Sequence, residues 1–210
     1  MKGCISEVNS IPYVVNPLTV AYGKSGEPWL VLNCRHINLK LFKYKCCFKD
    51  QSVARNMFGA GDFLFAFDIR SAYHHVMIYP DHRTYLGFSW KSRDTVRYFV
   101  FNVLPFGIST AGYIFTKLLR IPVKKWRARG FRIVVFLDDG LGGAKGFKSA
   151  LDASDYIHVD LAKFGFIIAE DKCSWMPCQS LTWLGYVWNT LEGIISVTND
   201  RVERLVGILE

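Results

Sequence analysis

The run from Val134 to Gly140 constrains the fold of this chain more than any other stretch. Four apolar residues lead directly into Asp138, Asp139 and the glycine, a pattern typical of a buried strand that ends in a tight turn. Adjacent carboxylates repel each other unless a cation lies between them, and the commonest such cation is a divalent metal. An Asp-Asp-Gly turn is also an ordinary hairpin connection, so both interpretations stay open for this stretch alone.

A second apolar run, from Phe63 to Phe67, also ends in an acid, Asp68. Strands lying side by side would bring Asp68 to the pair formed by Asp138 and Asp139. Three carboxylates at the ends of core strands make a two-metal site, which polymerases and nucleases use for in-line attack on phosphate. The two runs together therefore predict phosphoryl-transfer chemistry.

Composition narrows the class of protein. With 210 residues, 50% of them hydrophobic, the chain can bury a full core as one domain or one domain with a smaller appendage. The net charge of +8 favours a polyanionic partner, although such basic surfaces also occur in proteins that bind nothing acidic. No apolar stretch of about 18 residues and no signal-peptide core is present, which predicts an intracellular protein of the cytoplasm or nucleus, not secreted and without a membrane partner. The six cysteines are expected to be reduced thiols rather than zinc ligands.

The first part of the chain predicts β-hairpins. Residues 18–22 and 29–32 flank a glycine turn with Lys24 at its tip, either as a solvated turn lysine or as a flap that lays positive charge over a phosphate. After Asp68 a short helical turn is expected to carry Tyr73. Residues 85–90 and 96–103 then predict a second hairpin.

The second part alternates helices and strands. A helix is predicted from Ser109, with Ala111, Phe115, Leu118 and Leu119 on one face and a kink or split near Pro122. Residues 148–164 predict a second helix capped by Gly165, residues 166–168 a short strand, and residues 181–188 a last hairpin arm. From Phe63 the order is strand, helix, paired strands, helix, strand. We therefore predict an α+β fold with the split βαβ sheet of ferredoxin-like proteins.

Seven basic residues and no acid lie between positions 117 and 132. They are Lys117, Arg120, Lys124, Lys125, Arg127, Arg129 and Arg132. A run of one sign indicates either contact with a phosphate backbone or a solvated face, and the sequence leaves both open.

Three segments in the order 67–73, 104–107 and 136–139 together resemble the motif set of retroelement reverse transcriptases. The resemblance covers the fingers and palm from about Pro17 to Trp188. The Pro-Phe-Gly form of the second segment and the residues around it are most similar to retrotransposons of the long-terminal-repeat or tyrosine-recombinase (DIRS-like) type. It implies a partial fingers subdomain at 1–62, with further fingers elements near 80–108. A polymerase palm with a primer-grip hairpin would follow at 63–190, and the start of a truncated connection or thumb at 191–210.

The resemblance also implies a role for individual residues. Asp68 and Asp138 would hold two Mg²⁺ ions, for which Mn²⁺ is an alternative, with Asp139 nearby and the Ile69 carbonyl assisting. The residues implied in catalysis are Asp68, Asp138, Asp139 and Lys172, the last as proton donor to pyrophosphate. Those implied in nucleotide binding are Lys24, the backbone of Ser71 and Ala72, Tyr73 as the residue that blocks a ribose 2′-hydroxyl, and Phe106. Those implied in primer or template binding are Arg35, Pro105, Gly107, Trp183, Leu184, Gly185 and Tyr186.

The implied function is template-directed DNA synthesis from RNA within a retroelement polyprotein. Its partners would be an RNA template, a DNA primer and deoxynucleoside triphosphates, and a full-length protein is expected to add thumb and ribonuclease H domains. Three positions depart from the family pattern, because Phe136 replaces a tyrosine, Trp29 an arginine and Asn33 an aspartate. Since the chain stops soon after the primer-grip hairpin, the alternative is a catalytically silent nucleic-acid-binding fragment of a degraded retroelement that lacks the thumb.

Overall fold

The computed structural model describes residues 3–22, 26, 28–44, 51–93 and 95–209, so that Lys24 lies outside the described residues. The strands and α-helices in chain order are β1 (Ile5–Val8), β2 (Leu18–Tyr22), β3 (Pro28–Leu32), α1 (Arg35–Asn38), α2 (Gln51–Met57), β4 (Phe63–Asp68), β5 (Gly87–Ser92), β6 (Thr95–Phe101), α3 (Ala111–Ala128), β7 (Arg132–Phe136), β8 (Asp139–Ala144), α4 (Phe147–Lys163), β9 (Ser174–Cys178), β10 (Ser180–Trp183), β11 (Tyr186–Asn189), β12 (Ile194–Val197) and α5 (Asn199–Leu209). Short 3₁₀ helices lie at Ala72–His75, Pro80–Leu86 and Glu170–Lys172.

The chain divides into two compact units. The first unit comprises Met1–Cys46 and Ser71–Lys117, and the second comprises Cys47–Arg70 and Leu118–Glu210. The first unit contains an antiparallel sheet in the order β1-β6-β5 and the separate hairpin β2-β3. Both hairpins predicted for this part of the chain are therefore confirmed, except that Tyr85 and Leu86 lie in a 3₁₀ helix before β5 and that β6 ends at Phe101.

The second unit is built on a four-stranded antiparallel sheet in the order β7-β8-β4-β9. With α3 after β4 and α4 after β8, this is the strand order of a ferredoxin-like split βαβ sheet, which confirms the predicted fold class. The paired strands of this sheet are β7 and β8, whereas the hairpin β5-β6 belongs to the first unit. A second sheet, in the order β10-β11-β12, completes the unit and buries Trp183 and Trp188 in the core.

The strand predicted at residues 166–168 is wrong. Ile168 makes only an isolated bridge with Ile69, and the strand that pairs with β4 is β9. The reason is local, because the Ala169 N–H donates to the Asp68 carbonyl at 2.9 Å and the chain then turns into a 3₁₀ helix. The ladder therefore cannot continue from Ile168.

Helix α3 differs from its prediction in two respects. It runs through Pro122 without interruption, so the predicted split is wrong, and Leu118 is exposed rather than part of the buried face. The buried positions are spaced by three or four residues: Ala111, Phe115, Leu119, Val123 and Trp126. Burial of apolar side chains on both sides of the proline offsets the one hydrogen bond that its ring removes. The predicted second helix is confirmed as α4, and Gly165 follows it with φ of +81°.

Part of the basic run serves the fold itself. Three of its members bind acceptors within the second unit: Lys125 to Asp160 at 2.6 Å, Arg127 to the Ile133 carbonyl at 2.6 Å, and Arg132 to the fully buried Asp62 at 2.8 Å. Lys117, Arg120, Lys124 and Arg129 are exposed. Among the described helices, none is both long and apolar enough to cross a lipid bilayer. The cysteines in the described ranges, Cys4, Cys34, Cys173 and Cys178, are free thiols, as the sequence predicts.

Candidate active site

The hairpin β7-β8 carries two of the predicted acids. Its turn consists of Leu137, with φ of +53°, and Asp138, so that Asp139 is already the first residue of β8. Gly140 therefore lies in a strand rather than in the turn. It pairs with Phe67, and a Cβ at this position would lie 2.2 Å from the Phe67 ring. Packing against that ring, not turn geometry, requires the glycine.

Strand register brings the third acid to the same place. Asp68, the last residue of β4, is the direct cross-strand partner of Asp139. The chain immediately after Asp68 stays close to the turn, because the Ile69 N–H donates to the Asp138 carbonyl at 3.1 Å. The structure thus gathers Asp68, Asp138 and Asp139 at one end of the four-stranded sheet.

The environment of the three carboxyl groups raises the pKa of each of them. Burial, followed by the charges of Asp138 and Asp68, raises the pKa of Asp139 to about 7. Burial also raises the pKa values of Asp68 and Asp138, and the positive charge of Lys172 acts in the opposite direction on all three. Because the Asp68 and Asp139 side chains share a hydrogen bond, Asp139 holds a proton between two acids near neutral pH.

A divalent cation suits this donor set. Although Asp68, Asp138 and Asp139 lie at one end of the sheet, neither they nor any other three His, Cys, Asp or Glu side chains in the described ranges already form a closed set of metal ligands. Carboxylate oxygens are nevertheless the ligands that Mg²⁺ prefers, and a cation would offset the burial that raises the pKa values of Asp68, Asp138 and Asp139, together with the charge repulsion that adds to it at Asp138 and Asp139. The residues present therefore fit a divalent metal, with the proton shared by Asp68 and Asp139 as the group it would displace.

Lys172 lies on a turn beside the acids. The turn is the 3₁₀ helix Glu170–Lys172, and the segment before it follows the end of β4, where the Arg70 N–H donates to the Ile167 carbonyl at 2.8 Å. Lys172 is exposed, and its positive charge partly opposes the rise in the pKa of each of the three aspartates. The next residue, Cys173, is partly buried, and burial raises the pKa of its thiol to about 11, so the thiol is a protonated donor at neutral pH.

In the first unit, the predicted nucleotide-binding residues lie on one short turn. Ser71 has the left-handed φ of +51° and directly precedes the 3₁₀ helix Ala72–His75. Tyr73, within that helix, is partly buried, and its ring centroid lies 5.1 Å from that of Phe106 and 6.2 Å from that of Phe115. A left-handed φ at a serine is a strained conformation of the kind that clusters at functional sites.

The loop of Pro105, Phe106 and Gly107 is held against β3. The Phe106 carbonyl accepts from the Leu32 N–H at 3.0 Å, and Gly107 has φ of +111°. A Cβ at Gly107 would lie 1.8 Å from the Leu32 carbonyl oxygen, so only glycine fits. Pro105 is buried, whereas Phe106 is partly exposed and contacts Trp29, with 5.2 Å between ring centroids.

Asn38 is a supporting residue that sequence reasoning missed. Its side-chain amide donates to the Gly107 carbonyl at 2.9 Å, and its amide oxygen accepts from the Ser109 N–H at 2.9 Å. The predicted template residue Arg35 is exposed and donates to the Asn33 amide oxygen at 3.0 Å. Asn33 thus supplies an acceptor where the family has an aspartate. No local pattern marks Asn38, because its partners lie about seventy positions away along the chain.

The predicted primer-grip residues form the hairpin β10-β11 in the second unit. Leu184 and Gly185 make its two-residue turn, both with positive φ, and Trp183 pairs with Tyr186 across it. The Trp183 side chain is buried in the core, whereas Tyr186 is partly exposed beneath the Arg201 guanidinium, 5.0 Å from its ring centroid. The turn and Tyr186, rather than the indole of Trp183, are therefore the accessible part of this hairpin.

Known proteins resemble this chain in sequence and in fold. The Pol polyprotein of equine infectious anemia virus (isolate 1369) is 26% identical over 226 aligned residues, which include 98% of this chain and 19% of the viral protein. Isolate CL22 gives the same values, so the chain spans about a fifth of the length of the curated relatives it matches.

Solved structures of viral reverse transcriptases resemble the fold of this chain. A foamy viral protease-reverse transcriptase in complex with double-stranded DNA superposes with a TM-score of 0.83 at 18% identity, covering 97% of this chain and 34% of that one. The same type of enzyme in complex with an RNA/DNA hybrid gives a TM-score of 0.77 at 15% identity, covering 97% and 26%. Residues 34–188 match the family described as reverse transcriptase (RNA-dependent DNA polymerase). Because that match covers well over half of the chain, the chain belongs to the reverse transcriptase family.

Proposed function

We propose that this chain carries the polymerising centre of a reverse transcriptase, which synthesises DNA on an RNA template by nucleotidyl transfer. The observation that carries the proposal is the register of β4 against β8, which sets Asp68 opposite Asp139 with Asp138 in the adjoining turn. Membership of the reverse transcriptase family supports it.

The acids and Lys172 would divide the chemistry between them. Asp68, Asp138 and Asp139, with the Ile69 carbonyl, would hold two Mg²⁺ ions, or Mn²⁺, which when bound lower the pKa of the primer 3′-hydroxyl and neutralise the triphosphate. Lys172, whose charge reaches all three carboxylates, would give a proton to the departing pyrophosphate. The position of Lys172 on a turn beside the acids supports that role.

The turn that begins at Ser71 would select the nucleotide. The backbone N–H groups of Ser71 and Ala72 would bind the triphosphate. Tyr73, held by the Phe106 and Phe115 rings, would exclude a ribose 2′-hydroxyl by steric clash. The alternative for Tyr73 is an ordinary aromatic anchor of the turn, and its partial burial among rings is compatible with both roles. The contribution proposed for Lys24 falls outside the described residues.

The proposed partners are an RNA template, a DNA primer and deoxynucleoside triphosphates. Solved relatives bind double-stranded DNA and an RNA/DNA hybrid, and the net charge of +8 suits such polyanions. Arg35, the loop of Pro105 and Gly107, and the hairpin turn with Tyr186 are the proposed contacts. We place the chain in an intracellular long-terminal-repeat or DIRS-like retroelement whose full-length protein includes thumb and ribonuclease H domains.

A primer-extension assay tests the proposal. The chain is mixed with Mg²⁺, deoxynucleotides and a DNA primer annealed to RNA, and extension is expected. Asp138→Asn should reduce extension by at least about a hundredfold, because a neutral amide cannot balance cationic charge at the reaction centre. Asp155→Asn, the same substitution on an exposed face of α4, is the matched control and should leave extension unchanged. Binding of the hybrid without any extension by the unsubstituted chain would instead identify a catalytically silent fragment.

A further inference from the structure

We propose that Cys173 is a positioning residue for the reaction, which fixes the turn carrying Lys172 against the strand carrying Asp68. The inference rests on the proposed function, since it assigns Lys172 a partner in that chemistry.

The thiol joins two backbone segments. Its sulfur accepts a hydrogen bond from the Asp68 N–H at 3.3 Å and donates one to the Ala169 carbonyl at 3.2 Å. The Ala169 N–H in turn donates to the Asp68 carbonyl at 2.9 Å. Asp68 and the residue where the Lys172 turn begins are therefore connected by a closed set of hydrogen bonds that passes through one side chain.

Other side-chain contacts also hold the turn that carries Lys172, but they do not connect it to the backbone of Asp68. Arg70 and Asp171 form an ion pair at 2.9 Å, yet both side chains are more than half exposed, and exposed pairs contribute little. Glu170 accepts from Trp175 at 2.9 Å and contacts His158 at 2.8 Å, which ties the start of the turn to α4 and β9. Of these side chains, Cys173 is the one that bonds to the backbone of an acid in the site.

The consequence for catalysis is geometric. Lys172 precedes Cys173 directly, so a shift of residue 173 relative to Asp68 moves the lysine relative to the acids. Misplacement of a catalytic group by about 1 Å costs on the order of a hundredfold in rate. Loss of the thiol should therefore lower the rate of nucleotide addition and leave nucleotide affinity nearly unchanged, because the residues proposed to bind the nucleotide lie on other segments.

A double-mutant cycle separates positioning from general loss of stability. Single-nucleotide incorporation is measured for the unsubstituted chain, Cys173→Ala, Lys172→Ala and the double variant. Cys173→Ala is expected to lower kcat about tenfold with KM for the nucleotide within about twofold, and the double variant should be no slower than Lys172→Ala. Cys173→Ser, which retains a donor and an acceptor, should recover most of the rate. Cys178→Ala, which removes a thiol at the end of β9 that donates to the Ser180 carbonyl at 3.1 Å, is the matched control and should behave as the unsubstituted chain.

A second readout does not depend on activity. Amide hydrogen exchange of Asp68 should accelerate in Cys173→Ala and stay slow in Cys178→Ala, because only the first variant removes the acceptor of that N–H. Unchanged Asp68 exchange in Cys173→Ala would overturn the inference, as would effects of Cys173→Ala and Lys172→Ala that multiply in the double variant. If the unsubstituted chain extends no primer, the proposed function fails, while the exchange measurement still decides whether Cys173 holds the strand to the turn.

Discussion

Replacing Asp139 with asparagine should make the metal-free protein more stable while abolishing its activity. Burial and the charges of Asp138 and Asp68 raise the pKa of Asp139 from its ordinary value of 3.8 to about 7. A tenfold change in proton affinity corresponds to about 1.4 kcal/mol, so ionising Asp139 destabilises the metal-free fold by about 4 kcal/mol. Asparagine has nearly the same volume and no charge, so the Asp139→Asn variant avoids this destabilisation.

The sign and the pH window follow from the direction of the change. Below about pH 4 both the folded and the unfolded states hold the proton, and Asp139 has no effect on stability. Between about pH 4 and pH 7 the unfolded chain releases the proton while the folded protein keeps it, so the free energy of unfolding falls as pH rises. From about pH 5 to pH 8 the free energy of unfolding of the unsubstituted protein should fall by about 3 kcal/mol more than that of Asp139→Asn.

Urea unfolding with a chelator present, at about pH 5 and pH 8, measures this difference directly. Asp155→Asn, an exposed carboxylate on α4, is the control and should follow the pH dependence of the unsubstituted protein. Adding Mg²⁺ at pH 8 should restore stability to the unsubstituted protein more than to Asp139→Asn, because the cation offsets the charges that repel each other. Equal pH dependence of the unsubstituted protein and Asp139→Asn would refute the electrostatic account of the site.

Three further substitutions test other features. Tyr73→Ala should raise ribonucleotide relative to deoxynucleotide incorporation, measured as the ratio of the two kcat/KM values. An unchanged ratio would remove Tyr73 from sugar selection. A fall of both kcat/KM values together, with a loss of about 3–5 kcal/mol in the free energy of unfolding, would indicate a core anchor. Arg132→Met should destabilise the fold in urea by about 3 kcal/mol, because it leaves the fully buried Asp62 without its bidentate partner; a neutral effect would contradict this. Gly140→Ala should cost about 1–3 kcal/mol by collision with the ring beneath it. Gly146→Ala, with open space at its Cβ, should cost no more than about 1 kcal/mol by thermal unfolding, through the poorer N-cap that alanine gives α4.

The sequence determined the parts of the fold that depend on neighbouring residues. Apolar runs that end in acids predicted β4, β7 and the turn at Asp138, but not the glycine-rich strand β8. Short turns between β-rich runs predicted the two hairpins of the first unit. Helical periodicity and Gly165 predicted α4 and its end. Each of these signals is local, because periodicity, turn chemistry and like-charge repulsion act between residues a few positions apart.

Tertiary structure decided which distant residues meet. The register that opposes Asp68 and Asp139 is set across the sheet, and a slip of one residue would turn Asp139 to the other face. The same contacts explain the misses: β9 rather than residues 166–168 completes the sheet, and Arg132 neutralises the buried Asp62 instead of facing solvent. Cys173 meets the backbone of a residue 105 positions away. Hydrogen-bond partners and buried charges of this kind leave no periodic trace along the chain, so only the folded sheet reveals them.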